Sequence, residues 1–433
     1  MRVVIRGGGG VRITIGYLCA AIVVCGLSLP GFAGVRGLWL ARGDFRLFLT
    51  LLTLWGVLAC VLVPCFIRRL WVREEIVLFS ILSGLMRDCF NRERLLEFYF
   101  LFELTVLPIF LVISGWGYQP ERLSAGIRIF FYTLGGSLPL LGWTLFIIKS
   151  NWIFGVCSGF RILRSRGNIV WGFILFCSAG VLVKLPIFLG HLWLPRAHVE
   201  APVEGSIILA SVILKLGGFG LYFLRPFIFR SASRLESFLL RLRLGGGALR
   251  GLLAIIQTDL KVFIAYSSVR HIGLALGGFL VGKEISLLSF LGVLLSHGFV
   301  SSGLFFTSNI AYNVANSRNF LIVKSLLCRN YLYCIVIFII AVGNMGGPPR
   351  GNLLRELLSR TRLLRARYWR TLPLRIILGA STAYRVNWYL HLTGGHPKER
   401  QKASFYFTRS EVVVGQLHAV YCLLGGAMLL YVV

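Results

Sequence analysis

Ionisable side chains stand inside runs of apolar residues at several places in this sequence. Lys184 and Lys215 lie in VLVKLPIFLG and VILKLGGFG, and Glu103 lies in FYFLFELTVLPIF with no other charge between Glu97 and Glu121. Such a group costs about 2.5 to 3.5 kcal/mol at the centre of a membrane helix, and it normally pairs with another group or carries ions. These residue types therefore indicate the movement of protons or other ions.

The choice of lysine over arginine at these positions supports proton exchange. The chain has 46 basic residues, of which 8 are lysines and 38 are arginines. Arginine keeps its charge under ordinary conditions, whereas a buried lysine can lose its proton. Lys184 and Lys215 are the lysines set well inside apolar segments, and Lys261 stands at the head of another, TDLKVFIAYSS. These three lysines are candidates for groups that titrate.

Glu103 is as isolated in the sequence as Lys184. We expect the two side chains to face each other, because each would offset the cost of burying the charge of the other. The alternative is an ion pair that only fixes the register of two helices.

Four histidines lie in or beside apolar segments. His191 and His198 are seven residues apart and would share one face of an unbroken helix, but Pro186 and Pro195 predict that this segment is interrupted. A single histidine in a membrane helix is more often a hydrogen-bonded core residue than a proton carrier. His297 is the strongest candidate, because it lies among the serines of LLSHGFVSSGLFF.

His271 lies in AYSSVRHIG, where it directly follows Arg270. Its position resembles that of His297, since hydroxyl groups flank it in an apolar segment. It is therefore a further candidate for proton transfer, although its charged neighbour sets it apart.

The composition identifies the elements that must position these residues. Of 433 residues, 57% are hydrophobic and 14% are charged, and the mean hydropathy is +0.78, whereas soluble domains have about 25% charged residues. Apolar runs long enough to cross a membrane as helices occupy residues 11–29, 46–66, 76–90, 98–116, 127–148, 169–189, 203–224, 251–282, 285–313, 331–347 and 411–433. With the arginine-containing segments 227–248 and 353–392, the sequence predicts an all-α polytopic membrane protein of about 12 to 14 transmembrane helices. No room remains for a soluble catalytic domain.

Two segments rich in glycine and proline predict broken helices. One surrounds Pro186, and the second is GNMGGPPRGN at residues 343–352, shortly before Glu356. Interrupted helices beside buried ionisable groups, in the two halves of one chain, are typical of transporters built from internal repeats. We place the division between the repeats near residue 225.

Other features argue against soluble chemistry in this chain. The ten cysteines occur singly in apolar stretches, which favours buried thiols over disulfides or a metal site. The glycine runs at 7–10 and 245–247 lack the strand and turn of a phosphate-binding loop. The first residues, MRVVIRGGGG, do not form a clear signal peptide, and we expect no cleavage.

The net charge of +30 comes almost entirely from arginine. The arginines cluster at 161–166, 239–251 and 355–370. Such clusters usually lie in loops or against anionic lipid headgroups. Because they alternate with apolar segments instead of forming a tail, we do not expect nucleic acid as a partner.

Four segments carry a family resemblance. They are LFELTVLPIFLVISGWGYQPERLSAGIRIFFYTLGGSLPLL (101–141), KLPIFLGHLWLPRAHVEAPVEGSIILASVILKLGGFG (184–220), QTDLKVFIAYSSVRHIGLALGG (257–278) and LLSHGFVSSGLFF (294–306). They resemble the subunit 4 family of mitochondrial NADH:ubiquinone oxidoreductase, respiratory complex I. HLWLPRAHVEAP together with LKLGGFG is specific to this family among the antiporter-like subunits.

The resemblance implies a proton-moving subunit of the membrane arm, with two inverted five-helix repeats that each contain one broken helix. Residues 1–75 would form N-terminal transmembrane helices, 76–224 the first repeat, 225–410 the second repeat and 411–433 a C-terminal helix. The family positions for proton translocation match Glu103, Lys184, Lys215, His297 and Glu356, with less defined roles for His191, His198, Lys261 and His271.

The resemblance also implies the surroundings of the chain. It places the protein in the mitochondrial inner membrane, with the other membrane-arm subunits, above all the antiporter-like ones, and anionic lipids such as cardiolipin as partners. NADH, FMN, iron–sulfur clusters and ubiquinone would bind to partner subunits, and this chain would bind no cofactor or metal. The sequence departs from the family pattern at Glu204 and Arg355, where small residues are usual.

Two other functions are compatible with the same residues. A stand-alone cation/proton antiporter would use the same fold and buried charges without redox partners. A structural subunit that has lost transport would only link its neighbours, but it would gain stability from leucine at the buried ionisable positions. The retained lysines, Glu103 and His297 favour transport over the structural function.

Overall fold

The computed structural model describes an all-helical core. The described residues are 42–66, 72–149, 176, 178–187, 190–228, 233–280, 284–320, 322–323, 331–345, 356–357, 360–361, 371–394, 411–412, 414–420 and 422. Within these ranges the chain forms helices joined by short turns, together with an isolated antiparallel bridge between Asp259 and Asn319.

The helices follow one another closely along the chain. In order, they are α1 Arg42–Phe66, α2 Val72–Asn91, α3 Leu95–Leu104, α4 Val106–Trp116, α5 Arg122–Lys149, α6 Trp193–Glu200, α7 Val203–Ile208, α8 Leu214–Ile228, α9 Ser233–Ile255, α10 Leu260–Phe279, α11 Glu284–Ala315, α12 Tyr331–Met345 and α13 Thr371–Thr393. A short helical stretch, residues 178–184, precedes α6, and a π-helical turn, Leu209–Ile213, joins α7 to α8.

Five helical segments in the described ranges are long and apolar enough to span a membrane. They are Phe45–Leu62, Leu95–Trp116, Val203–Arg225, Leu260–Phe279 and Ser289–Ala315. The prediction of an all-α polytopic membrane protein is confirmed. The predicted spans 11–29 and most of 411–433 lie outside the described residues, so the total of about 12 to 14 helices and the two repeats stay predictions.

A local distortion positions Glu103 near the end of α3. Pro108 has no amide hydrogen to donate to the carbonyl of Leu104, which weakens the helix at that point. The chain forms a turn at Thr105 before α4 begins, and the Thr105 hydroxyl donates a hydrogen bond of 2.8 Å to the Phe102 carbonyl. Glu103 therefore lies beside a distortion of the helix inside the membrane span Leu95–Trp116.

A larger interruption follows Lys184. The helical stretch 178–184 ends there, Pro186 lies in the turn that follows, and α6 begins at Trp193. The predicted interruption at Pro186 is therefore confirmed. The predicted interruption at Pro195 is wrong, because this proline lies in the first turn of α6, where amide hydrogens have no acceptor within the helix.

The predicted single span 251–282 is also wrong. Helix α9 ends at Ile255 and α10 begins at Leu260, with Asp259 in an extended conformation between them. The amide of Leu260 donates a hydrogen bond of 3.0 Å to the carbonyl of Arg318, so backbone contacts with the end of α11 hold this break. Aspartate before the first helical residue is a common start signal, and it marks the boundary in the sequence.

Glycines allow the helices that carry the lysines to pack closely. A Cβ atom at Gly217 would lie 3.0 Å from the backbone nitrogen of Leu185, so α8 contacts the chain immediately after Lys184. A Cβ atom at Gly298 would lie 3.2 Å from Cε of Lys215, so α11 packs against the stem of this lysine. Larger side chains at these glycines would separate the helices.

The arginines do not all occupy loops or the lipid surface. Residues 239–251 belong to α9, and Arg250 within them is buried, with its guanidinium 5.7 Å from the centre of the Tyr266 ring. Arg270 and Arg385 are also buried in helices. The expectation of loop or lipid contact for the cluster 239–251 is therefore wrong for Arg250, because neighbouring helices cover it. The cluster 161–166 and most of 355–370 lie outside the described residues.

Candidate functional site

Glu103 and Lys184 form a buried ion pair across two helices. The Lys184 ammonium lies 3.3 Å from the Glu103 carboxylate, and the side chains are 0% and 15% exposed respectively. The ammonium also donates a hydrogen bond of 2.5 Å to the Phe102 carbonyl and lies 3.2 Å from the centre of the Phe102 ring. The predicted contact is confirmed, and it lies beside the break in the helix of Lys184.

The indole of Trp193 stabilises the broken helix. The carbonyl of Val183 has lost its helical partner because the helix ends at Lys184, and it accepts a hydrogen bond of 3.0 Å from Trp193 Nε1 instead. Sequence analysis did not assign a role to Trp193. A tryptophan a few residues after the break was the available signal, since a buried indole N–H normally requires an acceptor.

Replacing Trp193 by phenylalanine should destabilise this region by about 1 to 3 kcal/mol. The ring would still fill the buried space, but the Val183 carbonyl would lose its donor. The half-life of the assembled protein in detergent during heating would measure the effect. Trp388→Phe, which replaces a buried tryptophan of α13 whose indole nitrogen has no hydrogen-bond partner among the described residues, is the control. An equal effect of both changes would contradict a specific role for the hydrogen bond.

Lys215 lies at the start of α8, directly after the π-helical turn. Its side chain is fully buried, and its ammonium donates a hydrogen bond to the carbonyl of Ala210 within that turn. Turns of the π type are rare and often occur at functional sites. The structure thus places Lys215 in the interior, as the sequence predicted.

His198 is within electrostatic range of two lysines. Its ring stacks on Phe305 with the ring centres 4.4 Å apart, and the charges that act on it are those of Lys261 and Lys215. Among the described residues, neither ring nitrogen of His198 has a hydrogen-bond partner. A buried imidazole without a fixed partner is suited to exchange hydrogen bonds with water or with a neighbouring donor.

Lys261 lies at the start of α10 and contacts the end of α6. Its ammonium donates hydrogen bonds of 2.8 Å to the Ala201 carbonyl and 3.4 Å to the Val199 carbonyl. Arg318 donates a further bond of 2.8 Å to the Val199 carbonyl. Two cations therefore stabilise the carboxyl end of the helix that carries His198, where the helix dipole favours positive charge.

His297 extends the series toward the second half of the chain. Its ring lies 5.0 Å from the ring of His271, and the charges acting on it include those of Lys215, His271 and His198. Among the described residues, His297 Nε2 has no hydrogen-bond partner. The structure therefore brings together Lys215, His198, His297 and His271.

His271 joins this series to Glu356. Its Nδ1 lies 2.8 Å from a carboxylate oxygen of Glu356, and its Nε2 lies 2.7 Å from Oδ1 of Asn344. Arg360 contacts the other carboxylate oxygen of Glu356 at 2.5 Å. His271, Glu356 and Asn344 are buried, whereas the side chain of Arg360 is 14% exposed.

Two arginines also contact His271. The Nη2 atoms of Arg270 and Arg385 lie 2.6 Å and 2.7 Å from His271 Nε2. Arginine only donates hydrogen bonds, whereas Oδ1 of Asn344 only accepts them, so these neighbours of Nε2 favour opposite tautomers of His271. Tyr384 accepts a hydrogen bond of 2.9 Å from Arg270 Nε and completes the cluster.

Most residues of this cluster were not predicted from the sequence. Asn344, at the end of the apolar run YCIVIFIIAVGN, and Arg385, in ILGASTAYRVNWYL, are polar residues in predicted helices and were the available signals. Their convergence on His271 depends on the packing of α10, α12 and α13, which no local pattern reveals. Of the predicted break at 343–352, residues 343–345 belong to the end of α12, and the rest, like Arg355, lies outside the described residues.

His191 occupies a different position. It lies in the turn before α6, is 1% exposed, and is acted on by the charge of Arg250. The described contacts therefore place it beside α9, not between Lys215 and His297.

Comparison with known proteins identifies the family. The family model described as NADH:quinone oxidoreductase/Mrp antiporter, transmembrane, matches residues 93–379. The chain belongs to this family. The matched range contains the Glu103 and Lys184 pair, Lys215, the histidine series and Glu356.

Relatives with similar sequences carry one name. A protein named NADH-ubiquinone oxidoreductase chain 4 from Locusta migratoria is 42% identical over 62% of this chain and 59% of its own length. The proteins of that name from Rhipicephalus sanguineus and Danio rerio are 37% and 36% identical, over 73% and 80% of this chain and 71% and 76% of their own lengths. The chain thus spans between three fifths and three quarters of these family members.

Solved structures share the fold at low sequence identity. A chain of respiratory complex I from Thermus thermophilus with bound NADH superimposes with a TM-score of 0.81 at 19% identity, over 96% of this chain and 90% of that chain. A chain of the membrane-bound sulfane sulfur reductase, an archaeal respiratory membrane complex, gives a TM-score of 0.77 at 14% identity. Chains of two different respiratory complexes therefore share this helical fold.

Proposed function

We propose that this chain is a proton-translocating subunit in the membrane arm of a respiratory NADH:ubiquinone oxidoreductase, and a multi-pass protein of the mitochondrial inner membrane. The relatives named NADH-ubiquinone oxidoreductase chain 4 support the assignment to that enzyme. The buried Glu103 and Lys184 pair beside a helix break is the observation that carries the transport function. FMN, iron–sulfur clusters and ubiquinone would bind to partner subunits, which perform the redox reaction.

The Glu103 and Lys184 pair couples a change of charge at Glu103 to release of a proton from Lys184. Ionised Glu103 stabilises the ammonium form of Lys184, because unit charges 4 Å apart attract by about 4 kcal/mol at an effective dielectric constant of about 20. When the charge of Glu103 is neutralised, burial alone favours the uncharged amine, and Lys184 releases its proton. The Phe102 carbonyl and ring hold the ammonium in place between these two states.

Further steps of the proposed route follow the buried series. Lys215 would receive the proton and pass it through His198 or His297 to His271 and Glu356. The stacking of His297 on His271 and the contact of His271 with Glu356 support this order. Within the proposal, residues 76–224 and 225–410 are the two repeats, and Lys215 and His297 lie on opposite sides of their boundary.

The proposed partners follow from the assignment. Other membrane-arm subunits, above all antiporter-like ones, would contact this chain along the membrane. Anionic lipids such as cardiolipin would neutralise exposed arginines at the membrane surface, since each basic residue near an anionic surface contributes about 1 kcal/mol of attraction.

Glu103→Gln tests the proposed function. We expect the assembled complex to oxidise NADH with an artificial electron acceptor at the normal rate, but to move at least about tenfold fewer protons through this subunit, because Lys184 loses its charge partner. The measurement is the number of protons moved per NADH oxidised, in liposomes that contain the purified complex.

Glu97→Gln is the matched control. Glu97 lies in the first turn of the same helix, pairs with Arg92 and Arg94, and has a side chain that is 38% exposed. Its loss should leave the proton ratio unchanged, since exposed ion pairs contribute little. A normal ratio in the assembled Glu103→Gln variant would contradict the proposed function.

A further inference from the structure

Glu204 is a buried carboxylate that the proposed route does not use. It lies in the first turn of α7, inside the apolar span Val203–Arg225, and is 1% exposed. The neighbouring residues in α7 are buried as well, so the carboxylate faces the interior of the helical bundle. An acid at such a depth is normally retained for pairing or for ion movement.

Lys261 connects Glu204 to the rest of the buried charges. The acidic groups whose charges act on Lys261 are Glu204 and Glu200, and Arg318 acts on it with the same sign as its own charge. The ammonium of Lys261 is held at this place by the carbonyls of Ala201 and Val199, at the junction of α6 and α7. The charge of Lys261 therefore interacts with two carboxylates, that of Glu204 in the first turn of α7 and that of Glu200 at the end of α6.

His198 provides the connection from Lys261 toward Lys215. Both lysines act on its ring, and both of its ring nitrogens lack a hydrogen-bond partner among the described residues. The ring is fully buried against Phe305, so it cannot exchange protons with bulk water directly. Protons that reach His198 must come from buried neighbours.

A second buried acid, Glu75, is within electrostatic range of the Cys60 thiol, as Glu204 is. The thiol of Cys60 donates a hydrogen bond of 3.2 Å to the Glu204 carbonyl, and the charges of Glu204 and Glu75 both act on this thiol. Glu75 is 2% exposed and lies in the first turn of α2. Helices α2 and α7 therefore each carry a buried acid in their first turn.

A structural role for Glu204 is the competing explanation. An acid in the first turn of a helix interacts favourably with the helix dipole, typically by 0.3 to 1 kcal/mol. That gain is smaller than the cost of about 2.5 to 3.5 kcal/mol for an ionised group at membrane depth. Dipole stabilisation alone therefore does not explain a carboxylate here.

We propose that Glu204 is a further proton-carrying carboxylate, which exchanges a proton with Lys261 and, through His198, with Lys215. In the exchange, the ammonium of Lys261 gives one proton to the Glu204 carboxylate, which leaves a neutral amine and a neutral carboxylic acid. The reverse step restores both charges. This inference rests on the proposed function, because it assigns Glu204 to the same transport reaction.

Glu204→Gln is the first test, in the purified complex reconstituted into liposomes. The amide has the same shape and cannot take up a proton at neutral pH, so the protons moved through this subunit per NADH oxidised should fall by about twofold or more, and Glu204→Asp should restore much of the loss. Cys60→Ala removes the contact with the Glu204 backbone but leaves the carboxylate, and its proton ratio should be normal.

Lys261→Arg is the second test and does not depend on assembly of the Glu204 variants. Arginine can still donate to the Ala201 and Val199 carbonyls, but it does not release its proton. A proton ratio as low as that of Glu204→Gln is the expected result. A normal ratio for Lys261→Arg would overturn the inference.

The outcomes distinguish this inference from the proposed function. If Glu103→Gln lowers the proton ratio and Glu204→Gln does not, the inference about Glu204 is wrong and the proposed function stands. If neither variant lowers the ratio, the proposed function fails and the inference fails with it. If Cys60→Ala lowers the ratio as much as Glu204→Gln, the effect comes from helix packing, which also contradicts proton exchange by Glu204.

Discussion

Replacement of Lys184 by alanine should abolish proton translocation through this subunit. The change leaves the Glu103 carboxylate beside an apolar cavity, and removing one partner of a buried ion pair typically costs about 3 to 5 kcal/mol. Glu103 would then have no lysine beside it, so a change in its charge could no longer be passed to a proton-carrying group. Proton uptake by liposomes containing the complex, driven by NADH oxidation, would measure the loss.

Lys184→Arg separates transport from stability. Arginine keeps a positive charge near Glu103, so the pair and the assembly should survive, but it does not release its proton. We expect an assembled complex that oxidises NADH and moves protons as poorly as the alanine variant. Normal translocation with arginine would show that the pair serves only to hold the helices together.

The second large effect is expected for Gly180→Ala. A Cβ atom at Gly180 would lie 2.5 Å from Cα of Ser137 and 2.9 Å from the carbonyl oxygen of Gly136. Both contacts involve the backbone of α5, so rotation of a side chain cannot relieve them, and overpacking of this kind costs about 1 to 3 kcal/mol. The helical stretch 178–184 would move away from α5 and carry Lys184 with it. Both assembly and proton translocation should fall.

Gly135→Ala is the matched control for this change. It adds the same methyl group one residue before Gly136 on α5, where no heavy atom lies within 4 Å of the new Cβ. Its complex should assemble normally, and native gel electrophoresis of detergent extracts would compare the yields. Equal yields for Gly180→Ala and Gly135→Ala would contradict the close packing of these two helices.

The sequence predicted the central pair because its signal is local and strong. A single acid between Glu97 and Glu121, and a lysine in a chain that mostly uses arginine, stand out against apolar surroundings. Because an unpaired charge in the membrane costs free energy, pairing of Glu103 with Lys184 was expected. The 3.3 Å contact between the two side chains agrees with this prediction. Pro186 likewise predicted the end of the helix after Lys184.

Other parts of the site could not be predicted because they depend on tertiary contacts. Nothing local shows that Trp193 donates to the Val183 carbonyl, or that Arg385 reaches His271 across more than a hundred residues. The break at Asp259 was missed for a related reason. The apolar run continues through it, and the backbone of Arg318, far along the chain, stabilises the extended conformation.

The glycine contacts around Lys184 also bear on the speed of transport. Gly180 and Gly217 bring the stretch 178–184 into backbone contact with α5 and α8, which leaves this segment little freedom to slide or tilt. Opening and closing of the path therefore depend on rotation of the lysine stem and on transient wetting of the surrounding space. Rotamer changes occur in picoseconds to nanoseconds at exposed sites, whereas collective helix motions take microseconds to milliseconds. Because Lys184 is fully buried, rotation of its stem requires its neighbours to move with it, so gating at Lys184 should be slower than a rotamer change at an exposed site.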